Sequence, residues 1–118
     1  MSREYLSYPV RIKVISQKGH CGMGHKVGDE WIYKWEPGKV DNPNICEIAF
    51  HTIFPHIRVL WFGGIFPWPT PDEDTVMVAC PDAANPVVFE LKRLRNKAIM
   101  HNYSEDLNLH RGEENNGT

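Results

Sequence analysis

Residues 45–64, ICEIAFHTIFPHIRVLWFGG, decide the fold. Ile45, Ile48, Ala49, Thr52, Ile53, His56, Val59 and Leu60 recur at spacings of three and four, which draws one apolar stripe along a helix. Asn42 or Asn44 is positioned to cap its start, and Gly63 and Gly64 to stop it. Pro55 removes an amide donor and crowds the preceding turn, so a kink or the start of a second helix is expected there.

On either side the period changes from helical to alternating. VRIKVIS at 10–16 sets Val10, Ile12 and Val14 against Arg11 and Lys13, the pattern of a half-buried strand. EWIYKW at 30–35 puts Trp31, Tyr33 and Trp35 on one face of a second strand, reached through a loop holding Gly19, Gly22, Gly24 and Gly28. After the aromatic and proline-rich loop GGIFPWPTPDED, TVMVAC and PVVFELKRL read as two strands of a hairpin joined by PDAAN. Strand, strand, helix, strand, strand predicts an α+β fold, a small antiparallel sheet of about four strands packed by one Pro-kinked helix. A small barrel interrupted by the helix is the alternative. Residues 1–95 form the expected domain, and 96–118 a polar tail.

The chain has 118 residues, which fits one domain. Its net charge of −2 argues against a generic nucleic-acid binder, since phosphate affinity comes from clustered Lys and Arg. The one basic run, LKRLR at 91–95, alternates and reads as the solvent face of a strand. No apolar run approaches the roughly 20 residues of a membrane helix, and MSREYLSYPV lacks the apolar centre of a signal peptide. The expectation is therefore a cytoplasmic protein with neither membrane nor nucleic-acid partners. Three cysteines with no CxxC pair fit a reducing compartment rather than a disulfide framework.

CGMGHKVGDEW, the helical stretch and ACPDAANPVVFELKRL, in that order, resemble a family of small uncharacterised prokaryotic proteins. The shared pattern spans about residues 10–94. It implies a set of positions, Cys21, Gly24, His25, Gly28, Asp29, Cys46, His51, Pro55, Gly63, Gly64, Cys80, Pro81 and Asp82, and no activity.

Cys21 and His25 lie four residues apart in a loop, close to the spacing that opens small metal sites. Cys46 and Cys80 would complete a Cys3His set, a tetrahedral zinc composition, although thiolates also suit other transition metals. Cys46 has a second reading. In the first turn of the helix its thiol meets unpaired amides and the helix dipole, which favour an anion and make reactive cysteines. His51, five residues on, is rotated by about 140° around the axis, so His25 is the better base. Asp82 either accepts backbone amides in a turn or faces the cluster as a carboxylate. Against both readings stand three separately buried thiols in a non-catalytic oligomeric accessory module.

Two groups lie outside this cluster. Trp61, Phe62, Phe66 and Trp68 are core, or the floor of a pocket or interface for a small ligand or a partner. The tail reads as disordered by composition. Tyr103 and Leu107 have helical spacing, however, and would let the tail dock on Phe66 and Trp68 of a neighbouring subunit, giving a homo-oligomer.

Overall fold

The computed structural model describes residues 3–35 and 44–102. Its strands are β1 (Glu4–Ser7), β2 (Val10–Gln17), β3 (Glu30–Tyr33), β4 (Thr75–Ala79), β5 (Val87–Arg93) and β6 (Ile99–Asn102), with one helix, α1 (Glu47–Trp61), between β3 and β4. The main sheet has the order β3-β2-β5-β4 and is antiparallel throughout. The fold is thus α+β with a four-stranded sheet.

Strand alternation builds the core. Val10, Ile12 and Val14 from β2 and Val87, Phe89 and Leu91 from β5 point to the same side. α1 covers them with Ala49, Ile53, Ile57, Leu60 and Trp61. This stripe is rotated from the expected one. Ile48 is 65% exposed, because Ile57 and Trp61 turn toward the sheet while His56 meets Phe66 and Trp68 of the following loop.

The helix runs unbroken through Pro55, so no second helix begins there. Its C-terminus closes as a Schellman motif. Gly63 N–H donates to Leu60 O (3.2 Å) and Gly64 N–H to Val59 O (2.9 Å), with Gly63 at φ +83°. At the other end the expected asparagine cap is corrected. Cys46 is the N-cap residue and caps with no side-chain bond of its own; Asn42 lies outside the described residues.

Three further expectations are revised. β3 ends at Tyr33, before Trp35. Arg93 is not on a solvent face: it lies on the inner side of β5 with Phe89 and Leu91 and is 1% exposed. The chain beyond Arg95 also enters the fold, since β6 pairs antiparallel with β1 and buried His101 meets buried Ser7 (Nε2 to Oγ 2.6 Å). Residues 103–118, with Tyr103 and Leu107, lie outside the described residues.

Candidate functional site

Three segments meet at the start of α1. The first is the glycine loop after β2. A shift in register between Val14 and Ser16 interrupts the pairing of β2 with β5, which resumes at Ser16 and Gln17 before the loop begins. The Gln17 amide, oriented to donate to the His25 carbonyl (2.7 Å) and accept from the Cys21 N–H (3.2 Å), ties the loop to itself. Asp29 closes its far end, accepting the Lys26 N–H at 2.9 Å. Asp29 is thus a turn residue.

His25 connects this loop to the helix. Its ring is buried edge-on against Trp31 and Phe89, and its Nε2 accepts the Cys46 backbone N–H at 2.9 Å. In a capping box the residue at the third helical position would reach back to that amide, but here the position holds Ala49, which has nothing to offer. The imidazole takes the role from a distant loop. An imidazole that accepts at Nε2 carries its proton on Nδ1, so neither nitrogen keeps a free lone pair. His25 therefore meets Cys46 through the main chain rather than through the thiol.

The β4–β5 hairpin loop supplies the third wall. Cys80 N–H donates to Val87 O (2.8 Å), and the Cys80 sulfur accepts the Val87 N–H (3.2 Å). Asp82 Oδ1 accepts the amides of Ala84 (3.1 Å) and Asn85 (3.0 Å). These bonds, the one from Asn85 foremost, hold its carboxyl below the ordinary value against an opposing desolvation. Asp82 is a turn carboxylate, ionised and engaged with its own loop. Asn85 in turn accepts the His20 N–H at 2.9 Å, joining the hairpin loop to the glycine loop. A Cβ on Gly19 would overlap the Asn85 amide oxygen, so glycine is required where the two loops touch.

Between these walls lies a cavity of about 400 Å³ lined by Cys21, Met23, Cys46, Ile48, Cys80 and Asp82, among others. All three cysteines are free and half-buried. Met23 and Ile48, 62% and 65% exposed, form an apolar mouth. The cavity opens on the first turn of α1, whose N–H groups have no side-chain cap. Among the described residues no three Cys, His, Asp or Glu side chains are grouped as a ready metal cage. The shared wall thus brings Cys21, Cys46, Cys80 and Asp82 together, while His25 stands behind it as a support.

Met23, Gln17 and Asn85 escape sequence reading. Met23 looks like a loop residue, Gln17 acts through main-chain groups within its own loop, and Asn85 acts through the distant His20 N–H as well as its neighbour Asp82. His51, by contrast, is exposed beside Phe50, Phe54 and Pro55, away from the thiols. Among the described residues no helix is long and apolar enough to cross a membrane. Compared with protein families, with curated proteins and with solved structures, the chain shows no match.

Proposed function

We propose that the protein binds a small ligand in this cavity and engages it through its thiols. One observation carries the reading: three cysteines from three separate segments, all of them in the sequence, line a single cavity. Plain core filling would scatter them, because a free cysteine behaves as a small buried hydrophobe wherever one fits. The volume lies at the low end of small-ligand sites, and the lining is largely apolar with a few polar groups, as such sites are. A reducing compartment such as the cytoplasm would keep the three thiols free.

Stoichiometric labelling tests this. A bulky maleimide that fills the cavity through one thiol shields the other two, so native protein should take up one label per chain and unfolded protein three. Three independent labels on native protein would show that the thiols do not share a cavity. No label at all would favour the accessory module with inert structural cysteines.

A further inference from the structure

The donor set of the cavity says more about its ligand. Besides three thiols, the wall carries the thioether of Met23. The polar groups that a borderline metal would want are engaged elsewhere: His25 Nε2 holds the Cys46 amide, and Asp82 Oδ1 holds two amides of its own turn. What faces the cavity as a donor is sulfur, and the Val87 N–H that the Cys80 sulfur accepts (3.2 Å) is a bond a ligating thiolate keeps. Zinc sites close with four thiolate, imidazole or carboxylate ligands, whereas thiolate with thioether is the soft set that selects copper(I).

We propose, building on the thiol-pocket reading, that the cavity takes up one soft monovalent metal ion of the copper(I) class, with Cys21, Cys46 and Cys80 as thiolate ligands and Met23 as a weaker fourth donor. Each thiol that ligates releases its proton to solvent. The thiols are not drawn into a cage beforehand. Cys21 lies in a loop, Cys46 precedes the first helical residue, and Cys80 follows the last residue of β4. All three sit in a loop or at an element end, and closure on an ion requires their side chains to rotate toward one another. The excess negative charge of a thiolate cluster falls at the positive end of α1. The apolar mouth of Met23 and Ile48 shields the ion from water and oxidants.

The test is an anaerobic titration of reduced full-length protein with copper(I), in competition with a chromophoric copper(I) chelator, beside a zinc titration. The expected result is one equivalent withdrawn from the chelator, with ultraviolet copper–sulfur absorption, and weaker retention of zinc. Cys46→Ser should abolish uptake, Met23→Leu should weaken it about tenfold, and His51→Ala should leave it unchanged. Circular dichroism of each variant separates lost binding from lost fold. Copper left on the chelator, zinc held more tightly than copper, or uptake indifferent to Cys46→Ser would each overturn the proposal. The labelling experiment reads the cavity without metal, so one label per chain together with no copper uptake would sink the ion and leave the thiol pocket standing.

Discussion

Arg93→Met is expected to destabilise the protein by about 3–5 kcal/mol, the usual cost of breaking a buried ion pair from one side. Arg93 is 1% exposed and the last residue of β5. Its guanidinium donates to Asp74 Oδ1 (2.8 Å) and to the carbonyls of Leu60 (3.1 Å), Gly64 (2.7 Å) and Glu73 (2.8 Å). Two of those carbonyls belong to the end of α1 and the turn beyond it, so one side chain fastens helix, following loop and sheet together. Methionine matches the apolar stem but leaves three carbonyls without their donor and the half-buried Asp74 carboxylate with Arg95 alone. Arg93→Lys should recover only part of the loss, because an ammonium cannot span four acceptors arranged around a planar fork. Urea unfolding should show it as a lower midpoint at unchanged slope. A loss below about 0.5 kcal/mol, the range of ordinary surface substitutions, would contradict this account.

The same pair gives the protein an acid limit. Burial alone would raise the Asp74 carboxyl, but hydrogen bonds and charge from Arg93 and Arg95 outweigh it and hold the group below its ordinary value. A carboxyl depressed in the folded state contributes stability above its unfolded value, and that contribution disappears as pH falls through the folded one. Stability measured from pH 7 downward should therefore decline below about pH 4. Asp74→Asn should start less stable and decline less steeply; an identical slope would remove Asp74 from the explanation.

His25→Ala is expected to cost about 2–4 kcal/mol, combining a cavity beside Trp31 and Phe89 with an amide left without its acceptor. The local effect should be larger than the global one. Without the ring, the glycine loop is released from the start of α1, and exchange of the Cys46 amide should accelerate beyond what the change in global stability explains. His25→Gln keeps an acceptor and should restore part of that protection. If the Cys46 amide of His25→Ala exchanges at the wild-type rate, the imidazole is not what holds it.

The alternation of Val10, Ile12 and Val14, the three-and-four spacing from Ala49 to Leu60, and the turn residues of the hairpin loop were all legible in the sequence. Such periods are written locally, because one buried face must recur with the geometry of its own element. The parity of β5 even places Arg93 with Phe89 and Leu91, although charge alone suggested a solvent face. Tertiary structure decided that outcome, since only the packed helix end and Asp74 supply acceptors that make a buried guanidinium tolerable. It also decided that His25 caps a helix 21 positions away and that His101 meets Ser7 across 94. For the candidate site, the sequence singled out Cys21, Cys46, Cys80 and Asp82 by type and placement at element ends, but not Met23, and not the engagement of His25 and Asp82 by main-chain amides. Those facts depend on how two loops and a helix end are brought together by the sheet between them, a long-range arrangement that no local period encodes.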